Sequence, residues 1–345
     1  MQRMMITAIM AYAIGVVLGK LLLPVLYKLK FGQNIYELAP EAHKKKQGTP
    51  IMGGLIFAGA CILATLAMHT YGVSLMRNMA LAMILMALGN MGIGFADDMT
   101  KIRGGKNAGL TPKQKIVGQM VVCLAFSAYC YFHPQVGSKV IVPFVNVEWD
   151  LGIFYIPLLS LTILFMINSA NLQDGLDGIL SSVTAVGNVA WAALAVMFAS
   201  AVAANAAFAA NYQAVAIFAM ALCGACIGFL RFNHYPATVF MGDTGSEFIG
   251  GAVVGIAMLL RQPFLLLLIT FTMVASSVTV IIQRYYFKAT RKIFGEPRRL
   301  FKMTPIHHHF ELCGMKETKI VLMYAVVTAV LSLIALLSAV GLQLM

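Results

Sequence analysis

The sequence predicts an all-α integral membrane protein, and three observations carry that prediction. The 345 residues are 60% hydrophobic and 11% charged, with a mean hydropathy of +0.83, whereas soluble domains are about 25% charged. The apolar residues are gathered into runs near the ~20 residues a helix needs to cross a bilayer. The basic residues are distributed unevenly between the loops that join those runs.

Ten runs are expected to span, at roughly 5–27, 51–70, 79–96, 116–133, 153–170, 178–200, 213–230, 248–260, 264–287 and 319–341. The eighth is short and the ninth long. Continuous apolar runs exclude a transmembrane β-barrel, whose strands alternate. Residues 1–345 are read as a single polytopic membrane domain. With the N-terminus outside, twenty of the 25 Lys and Arg fall in inside loops. Only Arg3, Arg77, Lys139 and Arg261 fall outside, and Lys20 snorkels from the first run. The positive-inside rule therefore orients both termini outward. Of the acids, only Glu148 and Asp150 fall outside. That second asymmetry points to a working face on the cytoplasmic side.

The loops are then read in chain order. The first inside loop ends at Lys46 and Gly48-Thr49-Pro50, either as an anchor for anionic lipid or as a cation held toward an anionic ligand. Met52-Gly53-Gly54 opens the second run with small residues that permit close helix approach. The third run ends at Asp97-Asp98, two acids that oppose the dipole of their own helix end. A metal, a cationic partner or a raised pKa would compensate them, and Lys101 and Arg103 follow. Lys113 and Lys115 come after a Gly109-Leu-Thr-Pro112 turn. Residues 139–150 alternate roughly at period two and predict a small outer β-hairpin with Pro143 near a strand end.

Asn171-Leu172-Gln173-Asp174-Gly175-Leu176-Asp177-Gly178 joins two apolar runs at the membrane edge. Acids in such a place are costly and mark function. Gly242-Asp243-Thr244-Gly245-Ser246 opens a helix whose amides suit phosphate oxygens. Asp243 would repel a phosphate unless a cation stood between them; alternatively, Asp243 or Ser246 simply caps the helix. His307-His308-His309 lies in the largest basic loop. Consecutive histidines do not converge on one tetrahedral zinc, so proton transfer or hydrogen bonding to phosphate is expected. Six cysteines lie in runs or inside loops, and Cys223 and Cys226 read as small buried hydrophobes. Clustered aspartates favour hard cations such as Mg²⁺, which keeps phosphate oxygens in its shell. Together these loops suggest phosphate chemistry at the inner surface, with a soluble anionic donor and a lipid acceptor.

The strings KKKQGTPIMGG, GFADDMTK, GLTPKQK, NSANLQDGLDG, GFLRFNHYPATVFMGDTGS and MTPIHHHFE, in that order, resemble the phospho-N-acetylmuramoyl-pentapeptide transferases, within the polyprenyl-phosphate N-acetylhexosamine-1-phosphate transferase superfamily. The resemblance covers nearly the whole chain. It implies ten spans, a homodimer in the lipid bilayer and a Mg²⁺-dependent transfer of phospho-MurNAc-pentapeptide. The donor would be UDP-MurNAc-pentapeptide and the acceptor undecaprenyl phosphate, with UMP and lipid I as products; nucleic acid is not an expected partner. It further implies Asp243 as the metal ligand. Asp97 would be the base or nucleophile, with Asp98 its neighbour. Lys46, Asn171, Leu172, Asp174, Gly175, Asp177, Asn233 and Phe240 would bind the nucleoside part, Phe240 stacking on uracil. Lys113, Lys115 and the three histidines would face the diphosphate, and Gln283 is counted with the substrate-binding set.

The chain departs from the family pattern at Ile51, Gln173 and Glu247, and at Ser276, which stands where a glutamate is usual. An acid has in effect been exchanged between two helices. Two rival functions are a sister transferase that uses UDP-GlcNAc and an ion-coupled transporter. The transporter predicts acids at mid-span on several helices, whereas these gather at one end.

Overall fold

The computed structural model describes residues 2–28, 46, 48–68, 78–104 and 109–339. The early basic loop with Lys44 and Lys45, and Arg77 and Lys106, lie outside the described residues. The chain is helical apart from one hairpin. In order come α1 (Gln2–Lys28), α2 (Gly54–Ala67), α3 (Met79–Gly104), α4 (Pro112–Phe132), β1 (Lys139–Val142) and β2 (Val147–Asp150). Then follow α5 (Tyr155–Gln173), α6 (Ile179–Ala201), α7 (Ala206–Asn233), α8 (Gly242–Leu259), α9 (Pro263–Ile269), α10 (Phe271–Phe294), α11 (Ile306–Leu312) and α12 (Glu317–Ser338).

Each of the ten apolar runs carries a helix, as the all-α membrane reading expects. Among the described residues seven helices are long and apolar enough to cross a membrane, and eight if α9 and α10, bent by 84°, form one broken span. The long ninth run is thus two helices that part at Thr270. The second run yields only the 14 residues of α2, about 21 Å of helix. The short eighth run becomes the 18-residue α8, whose first turns hold Asp243, Thr244, Ser246 and Glu247 and are not apolar.

The core is arranged around α8, which is buried from Thr244 to Leu259. A helix apolar on all sides needs neighbours on all sides, and α2, α3 and α5 supply them. Close approach depends on glycine. A methyl group on Gly54 would collide with Gly245, and one on Gly94 of α3 with the Asp243 carbonyl. Small residues at Met52-Gly53-Gly54 therefore do what their composition suggested. The first amides of α2 find partners in the connection before α8: Gly53 N donates to Phe240 O at 2.9 Å and Gly54 N to Met241 O at 3.0 Å. Orphan donors at the start of one helix thereby fix the backbone that leads into another.

The hairpin forms as expected, antiparallel with Lys139 opposite Asp150, and Pro143 follows β1 directly. It docks on the connection after α8, where Ile141 N donates to Arg261 O at 2.9 Å and Glu148 pairs with Lys139 and Arg261. The hairpin thus sits at one end of α8 and Asp243 at the other, separated by 18 residues, or about 27 Å.

Candidate active site

Four helix ends meet at the Asp243 end of the bundle. Asp97 and Asp98 lie near the end of α3, Lys115 in the first turn of α4, Asn171 in the last turn of α5, and Asp243 in the first turn of α8. The carboxylates of Asp97, Asp98 and Asp243 lie within 4.8 Å of one another.

The compensation expected for the adjacent aspartates comes from three sources. Lys101 sits one turn beyond Asp97 on the same helix, the spacing at which side chains meet. Its Nζ lies 2.6 Å from Asp97 Oδ2 and 3.0 Å from Asp243 Oδ2. Lys115 Nζ lies 2.9 Å from Asp243 Oδ2. The third source is the start of α8. Asp98 accepts from Thr244 N at 2.9 Å, Thr244 Oγ1 at 2.6 Å and Asp243 N at 3.2 Å. Asp98 therefore caps α8 from a different helix, at the end where the dipole favours an anion. This corrects two expectations: neither Asp243 nor Ser246 is the cap, and the first amides of α8 are already engaged by a carboxylate.

Asp243 is left to face the site. Its Oδ1 accepts from Asn171 Nδ2 at 2.8 Å, and the same nitrogen reaches Ser246 Oγ at 2.9 Å. Asp97 Oδ1 accepts from Leu110 N at 2.8 Å, which ties the turn before α4 to the aspartates.

A second charged cluster lies across the 234–241 connection. Lys46 Nζ meets Asp177 Oδ1 at 2.7 Å and Glu317 Oε1 at 2.8 Å. Glu317 also accepts from Asp177 N at 2.6 Å, and Asp177 Oδ2 accepts from Ala237 N at 2.9 Å. Burial lowers the Lys46 pKa, but its bonds to the two carboxylates outweigh that and hold it above the usual lysine value. The Tyr235 ring lies 5.5 Å beneath the Lys46 ammonium.

Asp174 is half-buried and feels both clusters. Protein packed around its carboxyl pushes the pKa up to about 8, helped by the negative charges of Asp243, Asp177 and Asp98. The folded state then keeps a proton that the unfolded chain releases, so this contribution to stability is lost as pH rises toward 8. In chelator-treated protein, melting temperature is expected to fall as pH rises from 6 to 9. Asp174→Asn should flatten that fall; an unchanged slope would remove Asp174 as its source.

The histidines divide. A side chain on Gly175 would strike the Nε2 atoms of His307 and His308, so these two rings close over the Asp174–Gly175 turn. His308 Nδ1 lies 3.1 Å from Glu311 Oε2. His309 turns back: its Nδ1 accepts from Lys302 N at 3.1 Å and its Nε2 lies 3.8 Å from Cys313 Sγ. His309 therefore also shapes the loop around Lys302 and Cys313.

Other expected site residues are also engaged elsewhere. Gln283 donates to Phe301 O and accepts from Leu300 N and Phe301 N, each at 3.0 Å. Buried Asn233 donates to Val239 O at 2.9 Å, so it shapes the 234–241 connection. Lys113 is exposed and pairs with nothing among the described residues. Leu172 stands exposed beside Asn171, and Phe240 is a half-buried ring three residues before Asp243. Ser276 is buried on α10 and donates to Thr272 O at 3.0 Å, while Glu247 is bound to Lys115, so the two have separate partners. Sequence reasoning noted Lys101 after the aspartates without giving it a site role, and missed Glu317. The spacing of Lys101 from Asp97 was a usable signal, whereas Glu317 lies 140 residues from Asp177 and carried none.

Residues 80–261 match the family model described as glycosyl transferase family 4. Over 98% of its length the chain is 39% identical to a phospho-N-acetylmuramoyl-pentapeptide-transferase of Clostridium novyi (strain NT), covering 97% of that protein. It is 40% identical to the protein of the same name from Clostridioides difficile (strain 630), with 96% of each chain covered. A third, from Clostridium botulinum (strain Alaska E43 / Type E3), is 40% identical over 96% of this chain and 94% of its own. Full-length similarity, the membrane helices and the motifs gathered at one end of the bundle agree, and the chain belongs to the phospho-N-acetylmuramoyl-pentapeptide-transferase family.

Proposed function

We propose that the chain transfers phospho-MurNAc-pentapeptide from UDP-MurNAc-pentapeptide to undecaprenyl phosphate at the inner face of a bacterial cytoplasmic membrane, giving lipid I and UMP for peptidoglycan synthesis. The observation that carries this reading is the meeting of Asp97, Asp98 and Asp243 at one end of the bundle, in a chain whose relatives are named for this transfer. Family likeness also supports a homodimer.

The residues fit a divalent cation. Two ammonium groups stand about 3 Å from Asp243, at 3.0 and 2.9 Å, where a cation would satisfy the same oxygens. Asp243 would hold it, since Asp98 is engaged by α8 and Asp97 is kept for the proton. Mg²⁺ held there would supply positive charge to offset the charge gathering on departing UMP.

The chain's own residues do the rest. Lys101 and Lys115 draw the donor diphosphate toward the aspartates. Asn171 holds the Asp243 carboxylate in place. Asp97 takes the proton of the acceptor phosphate, whose oxygen attacks the sugar-linked phosphorus as the bond to UMP breaks. One pyrophosphate linkage replaces another, so catalysis rests on positioning and charge. His307 and His308 stand over the Asp174–Gly175 turn to donate to phosphate oxygens.

Phe240 is proposed to stack on uracil. Base stacking contributes ~1–3 kcal/mol, so Phe240→Ala should raise the donor dissociation constant roughly 5- to 150-fold with little change in acceptor affinity. Calorimetry with a uridine-bearing inhibitor checks this; unaltered affinity in a folded variant would make Phe240 a packing residue only.

The donor is tested by offering purified protein UDP-MurNAc-pentapeptide or UDP-GlcNAc, each with undecaprenyl phosphate and Mg²⁺. UMP release is expected with the first alone, and release with UDP-GlcNAc alone would assign the sister activity. A cysteine placed at Phe310 should react with impermeant reagent only from the cytoplasmic side; reaction from outside would invert the site.

A further inference from the structure

Glu247 is an acid beside the three aspartates that the mechanism above does not use. It lies one helical turn beyond Asp243, on a helix buried along its length, and is itself fully buried (0% exposed). A carboxylate in such a place is retained only with a partner. Its Oε1 lies 2.8 Å from Lys115 Nζ, and that same ammonium lies 2.9 Å from Asp243 Oδ2. Gln119, one turn along α4 from Lys115, faces the Glu247 carboxylate and accepts from Asn168 Nδ2 at 2.9 Å. Glu247 is thus fixed on a central helix, while Lys115 reaches both acids on a flexible four-carbon stem.

Charge makes the arrangement specific. Four carboxylates, of Asp97, Asp98, Asp243 and Glu247, face two ammonium groups, of Lys101 and Lys115. The carboxylates outnumber the ammonium groups, and a divalent cation would offset that excess. A cation arriving at Asp243 repels Lys115. With no second anion, Lys115 would either hold Asp243 against the cation or be left uncompensated in a low-dielectric region, both unfavourable.

We propose that Glu247 positions Lys115: it takes the ammonium over from Asp243 when a divalent cation binds, which frees Asp243 for the cation and keeps Lys115 beside the donor diphosphate. The inference rests on the reading of Asp243 as a cation ligand given above. Glu247 acts through Lys115 and touches no substrate.

Mn²⁺ binding to the full-length protein in detergent, followed by electron paramagnetic resonance, tests this. Wild type, Glu247→Gln, Lys115→Gln and the double variant are compared, with Asp243→Asn as reference. Glu247→Gln is expected to weaken Mn²⁺ binding by roughly 5-fold or more, the lower end of coupling between linked sites. In the Lys115→Gln background the same change should have almost no effect. An unchanged affinity in Glu247→Gln overturns the proposal, as does an equal loss in both backgrounds, which would mark a simple field effect of the lost charge. If the Lys115 variants do not fold, turnover of Glu247→Gln decides. Its half-saturating Mg²⁺ should rise by a similar factor with kcat recovered at saturating Mg²⁺, and a kcat loss that Mg²⁺ does not recover overturns the proposal. Loss of Mn²⁺ binding in Asp243→Asn with wild-type affinity in Glu247→Gln removes this inference alone. Retained binding in Asp243→Asn removes the cation-site reading as well.

Discussion

Asp243→Asn is expected to lower turnover by at least about 10²- to 10³-fold, the range for losing one preorganised electrostatic contact to a transition state, and to leave the protein folded. Both halves follow from the division of labour between two aspartates. Asp243 directs its Oδ2 at Lys101 and Lys115 and its Oδ1 at Asn171, so a carboxamide there loses a charge and turns a donor toward donors. The start of α8 is capped by Asp98, through Thr244 N, Thr244 Oγ1 and Asp243 N, and that cap survives the substitution. Asp98→Ala should do the opposite first, destabilising the protein by roughly 1 kcal/mol or more through the lost cap. Size-exclusion profiles and thermal melts beside turnover separate the two. Near-normal turnover in Asp243→Asn would remove Asp243 from the chemistry.

Lys46→Met is expected to be the most destabilising single change at the site. Lys46 stands between Asp177 and Glu317, whose side chains are 2% and 7% exposed. Removing one partner of a buried ion cluster leaves uncompensated charge and typically costs about 3–5 kcal/mol. Glu317→Gln on that background should recover part of the loss. It removes one orphaned carboxylate yet leaves an oxygen to accept from Asp177 N, a bond of 2.6 Å in the native chain. Equilibrium denaturation in detergent measures both. A loss no larger than that of exposed Lys113→Met would show that the cluster contributes little, and donor binding would then be the role left to Lys46.

These two residues also show what was legible before folding. Asp97, Asp243 and Asn171 stood out because each interrupts or bounds an apolar run, and polar groups are kept at such places only for a reason. The same apolar runs made every long helix legible. The breaks within them were not: among the described residues α2 covers 14 residues and the ninth run parts at Thr270, outcomes decided by packing. The least legible residues were those whose polar groups serve the backbone. Gln283, Asn233 and His309 read as ligands in a motif, and each also holds a loop. Asp98 looked like a twin of Asp97, and only the approach of α8 gives it a different task. Glu317 enters the site from the first turn of the last helix, a contact that local pattern does not encode.

The measurement that tests the central claim most directly is the fate of phosphorus. UDP-MurNAc-pentapeptide labelled in the sugar-linked phosphate is incubated with purified protein, undecaprenyl phosphate and Mg²⁺. The label should appear in a lipid-linked pyrophosphate, with unlabelled UMP released in equal amount and neither formed by Asp243→Asn. Label leaving with the nucleotide as UDP, or appearing in water-soluble phosphosugar, would show glycosyl transfer or hydrolysis instead and contradict the account.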